Sequence, residues 1–538
     1  MIKLERFMGV APRYAPQILP ENAAQVAQNC RFDSGALRPM KGLSDQDPAL
    51  DITAGATSLF LYERSGMILL SFVDDTDVVR SPIAKDAWGR VYISNGGVPK
   101  MRAAGSSSLW DLGVQVPGVN FMSATIDSSG RTSEDPLDAT DRFYVMTYVS
   151  AYDEEGPPSV PYSVPSVYPG DVVNIGALAT TPVSGVKNYD RKRIYRTNTG
   201  SMSTEYQLVA TLPIATTSYV DSLEDTALGV VLPSVTWDAP PEGIKGFVAH
   251  PSGFILGFKG RTIYASELYL PHAWPYSYPV SEDIVALAVY GNTVIVLTTG
   301  APVLLTGGTP DSLYLEKTET SLACLSKRAV VDMGDLILYP SPEGLVVAGL
   351  GSPPEIATKA LLDKDQWALY SPESMLATQW DRKYVAFCHH AERGHIALMF
   401  DPQTKDLSEI VVGEIKACLY DHNTGRLAVK RGNELYLRYF GEGELLTYAW
   451  RSKVFRKAMP ENYGAAQIFA DSYPVYLRVY ADAIDSNTPI YSVDVTSQSP
   501  VRLPSGFLAD KWELQLEGTA SINTVHVAPT MRDLKRME

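Results

Sequence analysis

The sequence predicts an all-β protein: an irregular β-propeller of about six blades, interrupted by a β-sandwich and followed by a small C-terminal β-domain. Three observations carry this. A hairpin unit recurs along most of the chain, clearest at 253–266 (GFILGFKGRTIYAS), where two apolar strands meet at a Lys-Gly turn. A related Gly-Arg-strand phrase stands at 89–94 (GRVYIS), and similar strand pairs stand at 284–307, 328–349, 375–400 and 425–440. Such a unit cannot bury both of its faces alone, so its recurrence implies units packed on one another. Finally, 30 Tyr, 37 Pro and 40 Gly favour strands and turns, and few windows keep a helical period.

Taken in order, residues 1–50 read as an N-terminal arm rich in Pro, Gln and Asn. It holds one short helical possibility at 21–30 (ENAAQVAQNC), introduced by Pro20. Residues 51–117 begin the propeller with SLFLYE and GMILLSF. The texture changes at 118–236, where long strands such as RFYVMTYVSAYDEEGPPS and RKRIYR alternate with polar turns, as in a sandwich. The propeller resumes over 237–449, an arrangement that places the sandwich in a surface loop, where insertions are tolerated. Residues 450–538 form the last β-domain, with clear alternation in KWELQL.

The chain is too long for one core, and 45% hydrophobic with 20% charged residues describes an ordinary globular protein. The formal charge of −15 argues against gripping nucleic acid, although residues 1–41 are locally basic. Four scattered cysteines suggest neither a disulfide framework nor zinc. The greasiest window, 284–305, is broken by Gly291, Asn292, Gly300 and Pro302, so buried strands are expected there and no membrane insertion. Synthesis in a cytoplasm is expected.

Four clusters invite a chemical reading. Cys388, His389, His390 and His395 form a His-rich hairpin; with Cys388 and His390 on one strand face and His395 returning beside them, it imitates a zinc site. A polar hairpin tip explains it equally simply. Asp74, Asp75 and Asp77, and Asp153, Glu154 and Glu155, lack the spacing of a calcium loop and read as exposed turns. Arg191, Lys192, Arg193 and Arg196 imitate a nucleic-acid patch, but strand alternation splits them over two faces. No nucleophile elbow, phosphate loop, GxGxxG or HExxH is present, and the expectation is a protein that is not an enzyme, with no catalytic, cofactor-binding or metal-ligating residues and no cofactor.

The block from 118 resembles a fibronectin type III-like module in its Tyr-rich strand, acidic Gly-Pro-Pro-Ser turn, IYR strand and closing TSYVD. The chain as a whole resembles the tail nozzle proteins (tail tubular protein B type) of short-tailed bacteriophages. The resemblance lies in the opening APRYAPQILPENAAQVAQNCRFDSGALRPMKG, in SELYLPHAWP at 266–275, and in RLPSGFLADKWELQLEG with INTVHVAPTMRDLK near the end. It implies a structural virion protein at the distal end of a short tail, a homohexameric ring extending the DNA ejection channel. Its partners would be other copies of itself, the tail adaptor, tail fibre or spike proteins, and double-stranded DNA in transient, non-specific passage. Two other classes remain open: a receptor- or polysaccharide-binding phage tail propeller, and a cellular β-propeller scaffold.

Overall fold

The computed structural model describes the chain except residues 48–51, 64–66, 181–184, 200–203, 350–351, 482–487, 505 and 536–538, so the boundary expected at residue 50 lies outside the described residues. The fold is all-β, 49% strand and 5% helix. No helix is long and apolar enough to cross a membrane.

Seven antiparallel sheets stand in a ring among the described residues. Blade one is the pair Ser58–Glu63 and Met67–Phe72; blade two begins at Asp77–Arg80, blade three at Lys245–His250, and blade four at Ile284–Tyr290. Blade five begins at Val331–Asp332, blade six at Leu376–Trp380, and blade seven at Ile415–Asp421. The first strands of blades two to seven lie against one another in that order, and blade seven's lies against that of blade one. Arg80 closes the circle by donating to Leu61 O at 3.1 Å, with Tyr62, Leu70 and Val91 sharing one apolar cluster there. The expected six blades become seven. The units recognised in the sequence do not include the pair at 58–72, which supplies the seventh blade.

The 254–265 hairpin shows why the repeat is legible. Lys259 pairs with Thr262, leaving Gly260 and Arg261 as a two-residue loop, with Gly260 at φ +60°. Glycine at the first loop position suits the right-handed twist of the flanking strands. Phe254, Leu256, Phe258 and Ile263 then fill the cluster between blades three and four.

Residues 123–221 form two sheets. One holds Ser123–Asp127, Val172–Gly176 and Tyr219–Asp221; the other holds Tyr162–Val167, Thr140–Ser150, Tyr189–Thr199 and Thr204–Pro213. Tyr144, Met146, Val173 and Ile194 pack between them as a sandwich core.

The opening segment is not a free arm. Ile2–Leu4 pairs with Ile522–Ala528. Ala24–Gln28, in the stretch expected as a helix, is a strand: it pairs antiparallel with Tyr448–Ser452 and touches blade six in parallel at Gln28–Glu409. Alanine-rich propensity is a weak preference that sheet pairing on both sides overrides. This strand fuses blade six to the C-terminal strands in one ten-stranded sheet, and one hydrophobic cluster runs from Trp367 to Trp450 and Trp512. The last ninety residues therefore share a core with the propeller. Lys41–Leu43 supplies the outermost strand of blade seven. At Gly9 the chain passes so close to blade six that a Cβ would sit 2.1 Å from Leu407 O, leaving no room for any other residue.

Candidate functional site

The axis of the ring carries the most unusual group of charges. Just before blade five, a short turn carries Lys327 and Arg328, whose side chains reach different blades. Lys327 Nζ reaches blade two, 2.7 Å from Asp77 Oδ1 and 3.1 Å from Asp75 Oδ1. Asp77 Oδ2 also accepts from Gly246 N of blade three at 2.8 Å. Arg328 donates to Thr57 O beside blade one at 2.6 Å and to Lys416 O of blade seven at 2.8 Å. Two neighbouring side chains thus cross-brace blades one, two, five and seven. Burial raises the Asp77 carboxyl above its usual range even though Lys327 pulls it down. A cavity of about 370 Å³ remains on this axis, with Phe247, Ala288 and Val330 as apolar wall and Asp77, Lys327 and Asp332 as its charges.

Lys327→Met keeps the stem and removes the ammonium, leaving two carboxylates facing an apolar wall. The expected loss is about 1–3 kcal/mol of stability, since an unsatisfied group carries its full desolvation cost. Adding Asp77→Asn should recover part of that loss in denaturant titrations.

A second charged group welds the sandwich to the ring. Arg90 of blade two lies 2.9 Å from Asp86 Oδ2 and 2.7 Å from Glu154 Oε1 of the sandwich, all three side chains being buried. Glu155 accepts from Thr147 Oγ1 at 2.6 Å and Tyr195 OH at 2.7 Å, and pairs with Arg193. His272 of the 266–275 phrase lies with Nε2 3.1 Å from Glu155 O and with its ring edge-on to Trp237. Opposite a carbonyl, that nitrogen is the donor. Burial, helped by the Arg90 charge, pushes the imidazole down to about 4.

Between about 4 and 6.5 the unfolded chain binds the proton more readily than the folded one, so stability is complete above 6.5 and falls as pH drops toward 4. The shift corresponds to about 3 kcal/mol at most. Glu154, raised by burial, acts in the opposite direction. A His272→Gln variant keeps a donor for the Glu155 carbonyl and shares Glu154, so the difference isolates the imidazole. Urea unfolding should show the parent losing more stability than the variant between pH 7 and 4.5.

The clusters singled out in the sequence sit as follows. Asp75 and Asp77 face Lys327 and not a calcium ion's worth of carboxylates, while Glu154 and Glu155 are buried rather than turn-exposed. In the His-rich hairpin, His389 pairs directly with His395, their rings 5.0 Å apart, on the face opposite Cys388 and His390. Register therefore divides the four side chains, His390 packs edge-on to Tyr370, and burial lifts the Cys388 thiol to about 12. No group of three metal-ligating side chains gathers among the described residues. The basic run is consumed inside the sandwich. Arg191 pairs with Asp153 and Asp190, and Arg193 with Glu155. Lys192 donates to Ala179 O and Thr216 O at 2.6 Å each, and Arg196 lies buried against Asp221 and Asp225. Lys327 and Arg328 were not singled out. Their partners are remote in sequence, Asp77 lying 250 residues from Lys327, and no local motif marks them.

No family model and no curated protein matches the chain. Among solved structures it is similar to Hsv2 of Kluyvelomyces marxianus, 8% identical, covering 48% of this chain and 68% of that one with a TM-score of 0.26. It is similar to BamB from Moraxella catarrhalis, 11% identical, covering 59% and 96%, with a TM-score of 0.26. It is also similar to Sqt1 of Saccharomyces cerevisiae, 10% identical, covering 74% and 98%, with a TM-score of 0.29. The ring follows from the strand pairings and blade contacts within the chain itself.

Proposed function

We propose that this chain is a non-catalytic structural subunit of a short phage tail, one copy in a ring-shaped nozzle that extends the DNA ejection channel. One observation carries the reading: the three phrases that resemble the nozzle group all lie at joints. The opening phrase supplies Ala24–Gln28, which bridges blade six and the C-terminal strands. The 266–275 phrase holds His272 against the sandwich and Trp274 against Phe247. The closing phrase supplies Ala509–Gly518, which pairs with three neighbouring strands of the ten-stranded sheet. Residues that weld separate units into one block suit a part whose task is to hold its shape under load.

The axial charges refine this reading. A cross-braced cavity of about 370 Å³ cannot pass a duplex, so in the proposed nozzle DNA runs between copies and not through a subunit. A charge of −15 per copy would then discourage phosphate binding along the lumen. The ring is a homohexamer that meets the tail adaptor on one side and fibre or spike proteins on the other, in a virion tail assembled in a bacterial cytoplasm. The sandwich is the fibronectin type III-like module of that subunit. Quantitative mass spectrometry of purified, DNA-filled particles tests the proposal. A copy number near half that of the portal protein is expected. Absence from particles would overturn it in favour of a cellular scaffold, and a copy number well above the portal's would favour a receptor-binding part.

A further inference from the structure

A cavity of about 570 Å³ lies away from the ring axis, between the opening segment and the turns of blade six. Its volume falls within the usual range for small-ligand sites, about 300–1,000 Å³. One wall is a closed set of charges. Arg31 bonds Asp33 and Asp381 at 2.7 and 2.6 Å, and Lys383 lies 2.7 Å from Asp33 and 3.5 Å from Asp381. Arg31 is further held over the Trp380 ring at 5.1 Å. The rest of the lining is different in kind. Arg38, Arg382, Asp401 and Asp406 all face the same space, and none of them is in an ion pair among the described residues. Phe32 and Met399, both nearly buried, add an apolar surface.

The backbone at this site is strained. Trp380 pairs with Lys383, which leaves Asp381 and Arg382 as a two-residue hairpin loop at φ +50° and +58°. That turn strongly prefers Asn-Gly, because both positions are left-handed. Here an arginine occupies the glycine position, and its side chain is delivered to the cavity. Strain of this kind, where an easier residue exists, points to a role for the side chain.

From these observations we infer that the cavity binds a neutral sugar. An anion would meet Asp401 and Asp406, and a cation would meet Arg38 and Arg382. A hydroxyl group, by contrast, accepts from a guanidinium and donates to a carboxylate at the same time. Asp401 Oδ1 already accepts from Gln403 N and Thr404 N, and Asp406 Oδ1 from Gly9 N. Each carboxylate thus offers its second oxygen to a polyol ring whose hydroxyls accept from Arg38 and Arg382, while Phe32 and Met399 receive its C–H face. The inference does not rest on the nozzle reading, since it would hold equally for a chain absent from virions.

Saturation-transfer NMR on the full chain tests it, with glucose, galactose, mannose, maltose and lactose as neutral probes. Glucuronate, glucose 6-phosphate and putrescine serve as charged ones. At least one neutral sugar is expected to give transfer. Arg38→Gln should weaken that sugar about tenfold, as expected for loss of a charged hydrogen bond. Arg382→Gly should weaken it comparably and yet melt at a higher temperature than the parent, because glycine relieves the loop. Transfer to none of the neutral probes would overturn the inference, as would stronger binding of a charged probe or neutral-sugar binding unchanged in both variants.

Discussion

Replacing Arg196 by Met is expected to cost the sandwich about 3–5 kcal/mol, the range for breaking a fully buried ion pair from one side. Both Arg196 and Asp221 have side chains with no exposure, and the guanidinium Nε lies 3.2 Å from Asp221 Oδ2. The same guanidinium pairs with Asp225 at 2.8 Å and donates to Leu223 O at 2.7 Å. Asp221 also accepts from Tyr144 OH at 2.7 Å and from Leu223 N at 3.1 Å. One residue from Tyr189–Thr199 thus ties down the closing strand Tyr219–Asp221 and the turn after it. Methionine fills a similar volume, so the effect reads charge and not cavity. Asp221 would be left buried with the Tyr144 phenol and the Leu223 N–H as its donors and no cation beside it. The check is urea unfolding followed by tyrosine fluorescence, in which the sandwich transition should move to lower urea. An Arg196→Met, Asp221→Asn double variant should recover part of the loss, since the stranded charge is then gone.

Trp450→Ala should cost a similar amount by another route. The indole is fully buried in the ten-stranded sheet, edge-on to Phe7 with ring centroids 5.0 Å apart. Its Nε1 donates to Met8 O at 3.1 Å. Truncating a buried Trp typically costs about 3–5 kcal/mol through lost burial and the cavity left behind. Met8 O would lose its donor as well. Gly9 is already packed against Leu407 with no slack, so the opening segment cannot easily collapse into the space. The expected readout is local as well as global: limited proteolysis should cut the variant around residues 7–13 under conditions that leave the parent intact.

The hairpins could be read from the sequence because their information is local. At 254–265 the apolar run, the loop glycine and the return strand all lie within a dozen residues, and the structure pairs them accordingly. The pair at 58–72 becomes a blade through its contacts with Asp77–Arg80 and Ile415–Asp421, partners outside the pair itself. Ala24–Gln28 is a strand where the local sequence suggests a helix, because strands hundreds of residues away pair with it on both sides. The charged residues failed for the same reason. In the DEEG run, Glu154 and Glu155 look like a solvated turn until Arg90, Arg193 and Tyr195 are brought to them. For the His-rich hairpin, composition suggested a cluster, but a one-residue difference in register divided it between two faces. Lys327 and Arg38 carry no local mark at all; only the closing of the ring and the folding-in of the opening segment give them surroundings.

The way the opening segment is woven in also constrains the order of events at the ribosome. Asn29 donates to Thr447 O, a partner 418 residues further along the chain, and at about 5–20 residues per second that partner emerges roughly 20–80 s later. Until then the strand Ala24–Gln28 keeps one edge unpaired, because the C-terminal strand that covers it has not been made. The growing protein must pass through a long interval in which pairing edges are open to any other chain at hand. Completion is therefore a late, non-local event, and production in a crowded cell should depend on chaperones that shield those edges until the last strands arrive.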